Sequence, residues 1–351
     1  KEFFQFKHRL VEFLVKEMGV KTLVFESDFA GTQILNGYVT NVHDDFKKGL
    51  SNMGPGVWWT QEFLDMINWL KTYNATRASE NQVRVYGCDM QWGLAPALLL
   101  RDYLKQRNRI SPVFEAGFAA LKKFYPSLSS KEKKAIRTVV AELRGITFDD
   151  LNASEREMHI RYVRELDQFS NYLDAKSTMF PARQSDLRDT YMAENAKWIN
   201  SHIGGRRMII WAHNEHLRKS SGSDGYHRMG MHMSEAFKEK YYVMGFDFSG
   251  GQMSAYDPKL KKSGPVDLPK AKADATGALF AKCNEPNFIL DFASASANPT
   301  IEAYLKSKVP TYYFGAGYTI GKPAHYNTHK LAETYDAIIF IRDTNAATLI
   351  N

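Results

Sequence analysis

Thr22-Leu23-Val24-Phe25-Glu26-Ser27-Asp28 is a β-rich apolar run that ends in carboxylates, and the segments around it take their meaning from it. Before it, Phe3, Phe4, Phe6, Leu10, Phe13 and Leu14 recur at helical spacing and Gly19 supplies a stop, which predicts an amphipathic helix feeding a strand. After it, Thr60 stands as an N-cap ahead of Phe63, Met66, Ile67 and Leu70, a helix running to about Asn74. Val83-Arg84-Val85-Tyr86 then reads as a second strand, closed by Gly87-Cys88-Asp89. This alternation is that of an α/β core.

From Leu94 to Arg183 the pattern turns to long charged helical stretches, including one from Glu155 to Leu173. The α/β rhythm returns with a helix over 192–203 and strands at 208–211 and 242–246. Later strands are predicted at 288–290, 311–313 and 337–341. The expected architecture is a mixed, largely parallel sheet flanked by helices, with core segments 1–100 and 186–351, an inserted helical subdomain 101–185 and a cleft between core and insert. The stretch 256–276, rich in Lys, Pro and Gly, reads as a mobile connection or a lid.

Composition sets outer limits. With 351 residues, 44% hydrophobic and 13% aromatic, the chain can bury a large core without staples. Cys88 and Cys283 lack any CxxC spacing, so neither a zinc site nor a disulfide framework is suggested, and two buried free thiols are expected. No run reaches the roughly 18 to 20 apolar residues of a membrane span. The expected setting is therefore a soluble monomer, cytoplasmic unless an export signal preceded Lys1, because the chain lacks an initiator Met and an upstream segment is expected. The formal charge of +7 concentrates in 101–145, where Lys122, Lys123, Lys131, Lys133 and Lys134 lie among eleven basic and four acidic residues. No interleaved aromatic platform accompanies them, so a solvated helical face is expected and not a nucleic-acid partner.

Three predicted strands lead into ionisable groups: Glu26 and Asp28, Asp89, and the pair His213 and His216. In open α/β sheets ligands bind beyond the carboxyl ends of the strands, so these groups converge if the strands are parallel neighbours. A carboxylate that orients an imidazole suits general-base hydrolysis, which makes Glu26 with His213 an attractive pair. One alternative is that a histidine caps the next helix and the other is a satisfied core group. Another is a zinc site on His213 and His216, although HxxH on a strand-to-loop turn lacks the register of HExxH and no third ligand stands out. Asp28 reads more simply as the N-cap of a helix beginning at Phe29. No GxSxG elbow, P-loop or GxGxxG fingerprint is present, so serine-esterase, nucleotide-hydrolase and dinucleotide readings lack support.

Several segments together resemble the erythromycin esterase-like family. They are 1–7, Phe25-Glu26 with 36–39, Trp59-Thr60 with Trp69-Leu70 and Tyr73-Asn74, Gly87-Cys88-Asp89-Met90-Gln91, and Arg188-Asp189 with 192–195 and Trp198. Trp211-Ala212-His213-Asn214-Glu215-His216-Leu217, Met229-Gly230 and Gly245-Phe246-Asp247-Phe248 complete the set. The resemblance implies a hydrolase that opens the macrolactone of erythromycin-type antibiotics by water attack, with no metal, no cofactor and no acyl-enzyme. It implies a general-base histidine in a GExxHG motif upstream of Lys1. It assigns Glu26, His213 and His216 to the active site and puts Lys7 where many members have an arginine, which keeps the charge but loses the planar fork. Asp89 and Gln91 fit a GxDxQ-like turn and, with Asp28, are expected to contact a small macrolide, ester or lactone partner. A metal-dependent hydrolase and a non-catalytic binding protein remain the alternatives.

Overall fold

The computed structural model describes the chain apart from residues 55, 124, 176–180, 258–261, 315–323 and 351. In chain order its regular elements are α1 (Glu2–Lys16), β1 (Thr22–Asp28), α2 (Phe29–Val39), α3 (Phe46–Ser51), α4 (Gln61–Ala75), β2 (Arg84–Asp89), α5 (Leu94–Gln106), α6 (Pro112–Leu121), α7 (Ser130–Leu143), α8 (Ala153–Asp174), α9 (Pro181–His202) and β3 (Ile209–Trp211). There follow α10 (Asn214–Leu217), α11 (Met229–Phe237), β4 (Met244–Asp257), β5 (Lys262–Leu268), α12 (Thr276–Phe280), β6 (Asn287–Asp291), α13 (Phe292–Ala295), α14 (Pro299–Lys306), β7 (Lys308–Tyr313), β8 (His325–Lys330), α15 (Leu331–Thr334) and β9 (Ala337–Thr344). The protein is of the mixed α/β class.

Residues 20–58 and 70–211 form one compact unit. Its sheet is all parallel in the order β2-β1-β3, with Leu23 beside Val85 and Ile209 and Phe25 beside Gly87 and Trp211. Leu23, Val24 and Phe25 are buried, as expected of a central parallel strand covered on both faces. Trp58 meets Phe25 and Trp211 edge-on, and Phe25 meets Trp211 tilted, at centroid distances of 5.4 to 6.0 Å, and all three are core rather than exposed platform. The helical stretch 101–185 falls within this same unit. The reason is polar as well as apolar: on α8 Glu165 binds the backbone of α2, and on α9 Asn195 donates to the Cys88 carbonyl at 2.9 Å.

Residues 1–19, 59–69 and 212–351 form the second unit. Its four-stranded sheet runs β5-β4-β9-β6, parallel between β4 and β9 and antiparallel at both edges, beside a β7–β8 hairpin. Largely parallel pairing is thus a property of the first unit's sheet alone. Val243, Leu305, Leu331, Ile338 and Phe340 centre the second unit's core. The stretch read as a lid is largely structured: β4 pairs with β5 from Gly251 opposite Leu268 to Asp257 opposite Lys262, and 258–261 lie outside the described residues. Gly264 and Pro265 hid that strand from a reading based on composition. Cys88 is buried, whereas Cys283 is exposed, contrary to the expectation for it. Among the described residues no helix is long and apolar enough to cross a membrane.

Candidate active site

In the first unit, β1 and β2 carry their acidic residues to the same end of the sheet. The pairing register slips between Phe25 and Asp28, where Asp28 comes opposite Asp89. Such an irregularity bends a strand and re-aims its side chains. Gly87 makes it possible, since a Cβ there would lie 2.2 Å from the Asp28 carbonyl oxygen and 2.4 Å from that of Ser27.

Arg188 of α9 joins the two strand ends. Its Nη2 donates to Asp89 Oδ2 at 2.7 Å and to Glu26 Oε1 at 2.8 Å, and its Nε reaches both Asp89 oxygens at 3.2 Å. Asp89 is 1% exposed and also accepts from the Met90 amide at 2.8 Å. An isolated charge so buried is expensive, and the arginine beside Asp89 offsets that cost. Burial opposes the charged guanidinium, but the facing Asp89 and Glu26 carboxylates outweigh it and push the Arg188 pKa further up. Glu26 is the more exposed carboxylate, at 17%. Gln91 donates to the Tyr172 hydroxyl at 2.8 Å, which ties the turn after β2 to α8.

Asp28 is fully buried and caps α2, accepting from the Gly31 amide at 2.6 Å. This is the N-cap role its position before Phe29 suggests, and it leaves the carboxylate no surface for a substrate. Glu165, also buried, accepts from the Phe29 and Ala30 amides at 3.0 Å each, so two carboxyls share one helix N-terminus. Burial pushes both pKa values well up, the Asp89 charge adding to it at Asp28 and the Asp28 charge at Glu165, so these neighbouring carboxyls favour holding a proton.

In the second unit, His213 caps α10. Its Nδ1 accepts from the Glu215 amide at 3.3 Å and its Nε2 faces the Phe314 carbonyl at 3.0 Å. His213 thus anchors the start of α10 through both ring nitrogens. His216 lies one helical turn on, its ring 6.4 Å from that of His213. Between them Asn214 grips β4 at Phe246, accepting from its amide at 3.1 Å and donating to its carbonyl at 2.6 Å. Lys7 of α1 places Nζ 4.9 Å above the same Phe246 ring. Glu215 points the other way: burial would raise its pKa, but His329 and Arg218 outweigh that and lower it. Asn327 donates to it at 2.8 Å.

Glu26 and Asp89 are therefore brought together in one unit, and in the other Lys7 lies over the Phe246 ring while His213 and His216 flank Asn214, which binds the Phe246 backbone. Among the described residues no group of three or more His, Cys, Asp or Glu side chains is arranged to hold a metal ion. Arg188 is the residue whose role the sequence did not disclose. It shares a helical face with Met192, Asn195 and Ile199, all buried, and that register was the available signal that it points inward.

The family model described as Erythromycin esterase matches residues 15–344. The putative hydrolase YbfO of Bacillus subtilis is 23% identical over 82% of this chain and 70% of its own length. An Escherichia coli erythromycin esterase type II is 21% identical over 74% of this chain and 69% of its own. A crystal structure of a Bacillus cereus protein superposes with a TM-score of 0.81 at 25% identity, covering 100% of this chain and 87% of that one.

Proposed function

Because the chain belongs to the erythromycin esterase family, we propose that it hydrolyses a carboxylic ester, with the macrolactone of a macrolide as the substrate to test first. The family and the names of its relatives support a hydrolase of esterase type. The observation that supports the site is the Glu26–Arg188–Asp89 cluster at the carboxyl ends of two parallel strands, the position at which open α/β sheets bind ligands.

Hydrolysis requires a water to lose a proton as it attacks the carbonyl, and a tetrahedral oxyanion to be stabilised until the alcohol leaves. Glu26 is the carboxylate suited to orient that water, because it is partly exposed and Arg188 fixes its rotamer. Asp89 holds Arg188 in turn and is a positioning residue. His213 positions α10 through its cap and its bond to Phe314.

Erythromycin incubated with the protein and followed by mass spectrometry, with and without chelator, tests the reading. Gain of one water in both samples supports metal-free ring opening. Gain only without chelator moves the assignment to a metal-dependent hydrolase, and no gain from a folded sample removes the macrolide as substrate.

A further inference from the structure

At the amino ends of β1 and β2, the opposite end of that sheet from Glu26 and Asp89, a cavity of about 140 Å³ is lined by Lys21, Arg84, Arg206, His202, Tyr86 and Thr22. The sheet itself creates the convergence. Arg84 lies beside Thr22 in the parallel register, and its amide donates to the Lys21 carbonyl at 2.9 Å, so two cations are fixed side by side. The chain leaving α9 brings Arg206 to the same place. Thr22 and Tyr86 are buried, and Tyr86 meets the His202 ring edge-on at 6.3 Å. His202 in turn stacks on Trp198 at 4.8 Å and bonds Glu157 at 3.0 Å, which fixes that wall.

Neutral partners hold the cations without cancelling their charge: Asn81 for Lys21 at 2.6 Å, Ser79 for Arg84 at 3.1 Å, and the Ile203 carbonyl for Arg206 at 2.8 Å. Glu80 is the one carboxylate in the lining. Both arginines act on the Tyr86 hydroxyl, whose pKa burial raises and their charges lower, so both guanidinium fields reach the cavity floor. The volume falls below the roughly 300–1,000 Å³ of sites that enclose drug-sized ligands, which excludes a macrolide and suits a small polar one. Planar guanidinium groups match oxyanions in two-point contact, and three cations favour a doubly charged one.

We propose that this cavity binds a phosphate dianion, free or as the terminal group of a small metabolite, held by Arg84 and Arg206 with Lys21 at the rim. The site is separate from the proposed hydrolytic one, and its test does not depend on turnover.

Titration calorimetry with inorganic phosphate and with glycerol 3-phosphate, in chloride buffer of matched ionic strength, reads the binding directly. Saturable binding is expected, weakened about tenfold in Arg84→Gln and again in Arg206→Gln, and partly restored in Arg206→Lys. Tighter binding of glycerol 3-phosphate identifies a carried phosphoryl group, and tighter binding of inorganic phosphate identifies the free ion. No saturable binding of either probe to the wild-type protein overturns the proposal. So does unchanged affinity in the double variant, provided its melting in chloride matches wild type.

Discussion

Arg188 meets Asp89 through two nitrogens, Nη2 at 2.7 Å and Nε at 3.2 Å, across 99 residues of sequence, and the same Nη2 turns to Glu26. The geometry makes Arg188 both the counterion that stabilises a buried aspartate and the group that sets the Glu26 rotamer. These two duties separate on mutation.

Arg188→Met leaves Asp89 buried without its cation, and a loss on the order of 3–5 kcal/mol is expected from an orphaned buried charge. Arg188→Lys keeps the charge but not the fork, so it loses less stability while turnover still falls at least about tenfold. Thermal melting beside kcat for the two variants checks the separation. Equal losses of stability in both would refute it.

Asp247 offers a pH test. It is buried on β4, and burial raises its pKa to about 7 although the Phe248 amide bond opposes this. An aspartate unfolds with a pKa of about 3.9, so the folded protein holds an extra proton between these values. Stability from this group is full below about 4 and is lost as pH rises through about 7. Asp247→Asn keeps the Oδ1 acceptor and removes the titration. The variant is expected to gain stability relative to wild type, by about 1–4 kcal/mol, at pH 8 and to lose that advantage near pH 4, read by denaturant unfolding at both.

The Asp28–Glu165 pair has the same sign, since both folded pKa values are raised. Glu165→Gln substitutes an amide that donates to Asp28 at every pH, so the alkaline loss of stability expected of the wild type should flatten. A variant whose melting temperature tracks wild type from pH 5 to pH 9 would show that the pair holds no proton.

His213→Asn tests the histidine. A side-chain oxygen can replace Nδ1 as the cap, so the stability cost should stay below the ~1 kcal/mol typical of a lost N-cap, while the bond to the Phe314 carbonyl is lost. A drop in kcat with unchanged melting supports a positioning role in turnover. Unchanged kcat confines His213 to the cap.

The apolar runs at 22–25 and 337–341 disclosed their strands because each is buried through successive residues, and those at 83–86 and 208–211 did so by their apolar and aromatic residues although Arg84 and 208–210 are only partly buried. β8 did not, because its sequence His-Tyr-Asn-Thr-His-Lys points Asn327 and His329 inward, so the buried face is polar and no hydrophobic alternation is written. The candidate site was half legible. Glu26 and Asp89 stand at strand ends, where position alone marks them. Arg188 and Glu165 lie on charged helices that resemble solvated faces, and their partners are 99 and 136 residues away, a distance that local pattern cannot bridge. The helical register of their buried neighbours, Tyr162 and Phe169 for Glu165, carried the hint.

The most direct test of the account is the rate of ester hydrolysis by Glu26→Gln against wild type, with erythromycin first and simple lactones next. Glutamine keeps an oxygen for Arg188 but cannot accept a proton from water, so a fall in kcat of about 100-fold or more with an unshifted melting temperature is expected. Full activity in that variant would contradict the assignment of the site to the Glu26–Arg188–Asp89 cluster.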